Sequence, residues 1–173
     1  MPASSVSRVP TSSATQTNFD LARLRKHGVV AGLVGAGLMA AWFFVLDAMR
    51  GHALFTPTLL AHVLLSGGAG SQVPEPSLAL TLMFTAVHVV AFAAIGLLAA
   101  EFLHRFDLVH NRALSLVLMF GALCVAFATF AVIFPAIGPD RISMRDAFLG
   151  NLIAATGMAA YLGVVLSRDA GIR

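Results

Sequence analysis

Four long apolar stretches run along the chain, separated by short segments in which the charges collect. Gly28 to Leu46 is uncharged for 19 residues and ends at Asp47, and Ser77 to Ala100 is uncharged for 24 and ends at Glu101. Ala113 to Phe134 gives 22, closed by Pro135, and Ala147 to Ser167 gives 21, closed by Arg168. A helix rises about 1.5 Å per residue, so about 20 apolar residues cross a hydrocarbon core of roughly 30 Å. The pattern predicts four transmembrane helices, at 28–48, 77–103, 113–134 and 146–167.

A fifth uncharged stretch, Gly51 to Pro74, behaves differently. Pro57 and the run Ser66-Gly67-Gly68-Ala69-Gly70-Ser71-Gln72 confine its apolar part to residues 58–65, too few to span. Thr56-Pro57 reads as an N-cap followed by proline at the first helical position, and Gly67 reads as the stop. Leu59, Leu60, Val63 and Leu64 then share one face. The expectation is a short helix over 57–66 lying at the membrane surface, with a re-entrant element as the alternative.

Composition agrees with this class and excludes others. Of 173 residues, 58% are hydrophobic and 11% charged, with a mean hydropathy of +0.88. A water-soluble domain carries about 25% charged residues. Less than half of that cannot cover a water-facing surface, which excludes a soluble globular enzyme and a disordered chain. The predicted fold is all-α, an integral membrane bundle of four transmembrane helices with one short surface or re-entrant helix between the first two.

Lysines and arginines set the expected orientation. In the four-span reading, Arg8, Arg23, Arg25, Lys26, Arg105, Arg112, Arg168 and Arg173 share one side, against Arg50, Arg141 and Arg145 on the other. Eight against three places both termini in the cytoplasm, and a spanning 51–74 segment would weaken that split. Residues 1–27 are expected as a disordered cytoplasmic tail, since the first 18 are rich in Ser and Thr and hold no acid. A transit peptide would carry several arginines there, and only Arg8 is present. Residues 168–173 form the cytoplasmic C-terminal tail. The first span is too long for a signal-peptide core and reads as a retained anchor, with the bacterial inner membrane as the expected location. The single cysteine, Cys124, excludes an intrachain disulfide, and the pI near 10.0 follows from the basic flanks rather than from nucleic-acid binding.

Helices in lipid approach closely through small residues spaced by four. Gly28, Gly32, Ala36 and Ala40 form such a stripe on the first span, and Asn151, Ala155, Ala159 and Gly163 on the fourth. These two spans are the expected close pair. Ser143-Met144-Arg145-Asp146 fits a capping box for the fourth span. Glu101 with Arg105, and Asp47 with Arg50, read as solvated helix ends.

Motif chemistry is sparse. Gly35-Ala36-Gly37-Leu38-Met39-Ala40 matches a dinucleotide fingerprint, but it lies inside a membrane helix without the preceding strand that the motif needs. Glu101-Phe102-Leu103-His104 has the ligand spacing of di-iron bundles, which need a second copy and further glutamates, whereas the only other glutamate is Glu75. P-loop, H-E-x-x-H, C-x-x-C and G-x-S-x-G patterns are absent from the sequence. No metal site and no particular cofactor is expected.

His88 is the most informative residue. It falls near the middle of the second span, where ionisable groups are rare and often functional, and Thr81, Thr85 and His88 make one polar stripe. The plain reading is a neutral histidine bonded to a neighbouring helix, Asn151 being the candidate. The sharper one is an axial ligand for a pigment or a haem, although no other span holds a second histidine at matching depth. A third is a carrier or proton path through Asp47, His88, Asp146 and Asn151. The expected function is a small non-catalytic, structural or accessory subunit that packs in the lipid bilayer against partner membrane proteins or copies of itself. The ligand-binding or carrier readings, built on His88, Thr85, Thr81, Asn151, Asp47 and Asp146, stand as the alternative.

Overall fold

The computed structural model describes residues 12–66, 75–105, 112–133 and 142–170, with side chains described over 22–66, 75–102, most of 113–129 and 142–165. Every described element is a helix: α1 (Ser12–Met49), α2 (Phe55–Ser66), α3 (Leu78–Arg105), α4 (Arg112–Ile133) and α5 (Met144–Ala170). Three are long and apolar enough to cross a membrane, over Ala22–Met49, Leu78–Phe102 and Met144–Val165. The third expected span, 113–134, coincides with α4, in which the described side chains make a shorter apolar helix, Val117–Ala126. The Gly67 stop, the Gly-rich run to residue 74, the closing Pro135 and the ends 1–11 and 171–173 lie outside the described residues.

Helix starts differ from the sequence expectation in instructive ways. Residues 12–27, expected as part of a disordered tail, belong to α1. No proline lies between Pro10 and Pro57, so nothing interrupts a helix growing backward from Gly28, and extending a formed helix avoids the cost of nucleation. Leu24 is buried in the core and holds this extension to the bundle. At α3, Ser77 acts as the N-cap rather than as a helical residue: its carbonyl accepts from the Thr81 amide at 2.9 Å, and its hydroxyl lies 3.5 Å from the Leu80 amide. At α5, the Ser143 carbonyl accepts from the Ala147 amide at 3.0 Å. The Asp146 carboxylate, expected to complete a capping box, pairs with Arg50 of the α1–α2 turn instead.

The small-residue stripe of α1 meets α3, not α5. A Cβ at Gly28 would lie 2.9 Å from Ala100 Cβ and from the Gly96 carbonyl oxygen, and one at Gly96 would lie 2.6 Å from the Gly32 nitrogen. A Cβ at Gly32 would overlap the Phe92 carbonyl. The two backbones therefore touch along Gly28 and Gly32 on one side and Gly96 and Ala100 on the other, the close approach that four-residue spacing of small side chains permits. Helix α5 packs on α1 through a different face, with Gly35 against Met158, Gly150 against Met39 and Trp42, and Gly157 against Leu38. On the stripe itself Ala36 is buried but Ala40 is exposed, while Ala155 is fully buried, Ala159 half-buried in the core, and Gly163 half-buried.

The main core runs between α1, α3, α4 and α5 around Met39, Phe92, Met119, Leu123, Met158 and Leu162. A second cluster, Leu59, Val63 and Ile142, lies under α2 with Phe43, Phe55 and Leu60 packed against it. Helix α2 matches the expected 57–66 element, starting two residues earlier, and of the expected apolar face it buries Leu59 and Val63. Leu60 and Leu64 are half-buried.

Candidate functional site

The end of the bundle where α1 gives way to α2 is organised by two buried carboxylates. Helix α1 stops at a turn of the Schellman type: the Gly51 amide donates to the Ala48 carbonyl at 3.0 Å and the His52 amide to the Asp47 carbonyl at 3.0 Å. Gly51 has φ +79° there, the left-handed conformation that glycine adopts without strain. The chain then reaches Leu54, whose φ of +70° is costly for a branched side chain. Two residues later the Asp47 carboxylate accepts from the Thr56 amide at 2.6 Å and from the Thr56 hydroxyl at 2.8 Å. Asp47, 1% exposed, thus caps the first turn of α2 from the preceding helix. The capping role assigned to Thr56 by sequence belongs to Asp47.

The second carboxylate, Asp146 at 2% exposure, accepts from Arg50 and lies 3.6 Å from Arg145 Nε. Its main-chain carbonyl accepts from Trp42 Nε1 at 2.9 Å. An anion in the first turn of α5 also complements the helix dipole. Asp47 and Arg50 are therefore not a solvated helix end: each ties α1 to another helix. A third knot joins α2 to α3, where the Thr58 hydroxyl accepts from the Ser77 amide at 3.0 Å and lies 3.3 Å from the Thr81 hydroxyl.

Beneath this frame, where α1 and α3 leave their close contact, lies a cavity of about 570 Å³. Met39, Phe43 and Phe44 of α1, one face of α3 that includes Thr81, Phe84, His88 and Phe92, and Leu123 and Ala126 of α4 form its walls, with Leu54, Pro57 and Leu60 as its roof. Phe44 and Val87 are 51% and 45% exposed, so the cavity opens on the side of the bundle. His88 lines it, flanked along α3 by Phe84 and Phe92 with ring centroids 5.6 and 4.6 Å away. The His88 Nε2 is buried with no hydrogen-bond partner among the described residues.

Of the six polar candidates read from sequence, the structure divides the set. Asp47 and Asp146 belong to the frame. Thr81, Thr85, His88 and Asn151 line the cavity, but the Thr85 hydroxyl donates to the Thr81 carbonyl of its own helix at 2.7 Å. The bond anticipated from His88 to Asn151 is not formed; Asn151 shares the cavity wall instead. No group of three or more His, Cys, Asp or Glu side chains that could hold a metal ion occurs among the described residues.

Two features were not anticipated from sequence. The first is the aromatic bracket of His88, legible as Phe84, His88 and Phe92 at four-residue spacing. The second is a hydrogen bond of 3.1 Å between His27 Nδ1 and the Tyr161 hydroxyl, which links α1 to α5 at the far end of the bundle. No signal in the sequence pairs those two. No protein-family model matches the chain, and neither a curated protein nor a solved structure matches it.

Proposed function

We propose that the chain is a four-span membrane protein with both termini in the cytoplasm, acting without catalysis as an accessory subunit beside other membrane proteins. The observation that carries this reading is the use made of the buried carboxylates. Asp47 holds the first turn of α2, and Asp146 holds Arg50, so both serve the frame. Apolar side chains exposed along α3, α4 and α5, among them Leu82, Val90, Val117 and Phe148, are the surface that lipid or a neighbouring helix covers. The distribution of arginine and lysine supports the orientation.

The test is the native size of the tagged chain extracted from its own membranes in a mild detergent. Migration far above 18.1 kDa plus the detergent belt, with other polypeptides present at fixed ratio, is the expected result; a small homogeneous particle overturns the accessory reading. Reporters fused after Arg173 and between His104 and Arg112 should read cytoplasmic and one near Gln72 external. An external C-terminus rules out the four-span arrangement. A second reading, a membrane protein that binds a ligand, rests on the cavity at His88.

A further inference from the structure

We infer that the His88 cavity binds a neutral, lipid-soluble, ring-bearing molecule whose carbonyl or hydroxyl group hydrogen-bonds to His88, the chemistry of a membrane quinone or quinol. The inference goes beyond the accessory-subunit reading and can fail while that reading stands.

Size and lining come first. About 570 Å³ falls within the roughly 300–1,000 Å³ range of small-molecule sites, which are apolar with a few polar groups that fix orientation. Most of the hydroxyls in the wall are already engaged. Thr56 donates to Asp47, Thr81 meets Thr58, and Thr85 donates to the Thr81 carbonyl. His88 is different, because its Nε2 is buried without a partner among the described residues. In hydrocarbon there is no water to relieve that, so an unpaired nitrogen costs free energy that a bound polar group would recover.

Charge narrows the class. Among the described residues no Asp, Glu, Lys or Arg lines the cavity, and the nearby Asp47 and Asp146 are tied into the frame. An ion would enter without a counter-charge, which selects a neutral occupant. Depth narrows it again. His88 stands ten residues beyond Leu78, the first residue of α3, about 15 Å along the helix and so near the middle of a core roughly 30 Å thick. A phospholipid keeps its polar atoms at the interface and offers only acyl chain at that depth. The partner of His88 must be a molecule able to carry a carbonyl or hydroxyl to mid-membrane.

The aromatic lining selects a ring. Phe43, Phe44, Phe84 and Phe92 all border the space, and a flat ring gains offset or edge-to-face contacts with such side chains beyond the apolar area it buries. The other ring nitrogen of His88 meets the Ala36 main chain; with that bond kept, Nε2 accepts from a quinol hydroxyl, and it donates to a quinone carbonyl when the proton moves to Nε2 and the bond is given up. The opening beside Phe44 and Val87 gives such a molecule a path from the bilayer.

Trp42, the only tryptophan, lies between two residues that line the cavity, Ala41 and Phe43, and reports occupancy. The full chain is placed in phosphatidylcholine nanodiscs and titrated with decylubiquinone, which quenches tryptophan at short range, and in competition with decylbenzene, which has the ring and tail but no oxygen. Saturable quenching is expected, weakened about tenfold in His88→Leu, the loss of roughly one hydrogen bond, while decylbenzene competes equally in both proteins. Ala126→Phe, which fills the cavity and leaves His88 intact, should abolish saturation, and serves as the second variant if His88→Leu does not fold. Quenching that rises linearly without saturating, or saturable quenching unchanged by either variant, reflects partition into lipid or a site elsewhere and overturns the inference. Equal loss of decylbenzene and decylubiquinone binding in His88→Leu also overturns it, because the histidine would then only shape the cavity.

Discussion

The two ends of the α1–α3 pair are held by opposite means. At the Gly28 end the helices touch backbone to backbone, with Gly28, Gly32 and Gly96 leaving no room for a side chain. At the Asp47 end they part, and the gap is filled by α2, an element pinned through side chains by Asp47, Thr56, Thr58 and Ser77. Close backbone packing gains dispersion contacts along a whole helix face and is rigid. Helix α2 has, besides these hydrogen bonds, its own small cluster of Leu59, Val63 and Ile142, a unit separate from the main core. The cavity lies at the transition, with Pro57 and Leu60 of α2 in its cover. A ligand site between a backbone seam and a separately cored cover is what that contrast provides.

The contrast is sharpest in mutations that strike one end only. Gly32→Leu should be the most damaging, since its side chain would meet the Phe92 main chain, and helix separation would cost about 3 kcal/mol or more. Reversible unfolding in mixed detergent measures it, and a change below 1 kcal/mol would mean that the seam is not a tight contact.

Asp47→Ala removes the acceptor for the Thr56 amide and hydroxyl together, and should cost about 2 kcal/mol. The loss should be local. Single cysteines in α2, in a Cys124→Ala background, should become reactive to a maleimide while Gly28-end positions stay protected. Uniform exposure of both ends would show that α2 is not a separable piece.

Asp146→Ala leaves Arg50 without its carboxylate but spares the main-chain acceptor of Trp42, so about 1 kcal/mol is expected. Arg50 is half exposed, and solvent screening keeps the effect below that at Asp47. Reversal of that order would place the main anchor of this end on α5. The smallest effect is expected from His27→Phe, which loses the bond to Tyr161 at the opposite end but keeps the ring, at about 0.5–1 kcal/mol. Thermal unfolding compared with Tyr161→Phe and the double variant checks it: if the pair acts as a unit, the double variant is no worse than either single.

Much of the architecture was legible because apolar run length is a one-dimensional property. Uncharged stretches place α1, α3, α4 and α5, and the short stretch around Pro57 marks an element that cannot span. The small-residue stripe at Gly28 and Gly32 was also visible, since four-residue spacing marks a helix face. Its partner was not, because α3 and α5 both carry small residues, and a face does not say which neighbour it meets. Gly96 and Ala100 decided that in three dimensions.

The site divides in the same way. His88 stands out in sequence because an ionisable group in the middle of an apolar run is expensive and therefore rare. That Asp47 caps α2 could not be read, since capping motifs are recognised within a few residues and this cap comes from the preceding helix, nine residues away. The sequence by itself determined the class of the protein, its helices and its most unusual side chain, all matters of solvent preference along a line. Only the tertiary structure decided which helices touch, which carboxylates are committed to the frame, and that a cavity opens beside His88, because each depends on how faces from distant segments meet.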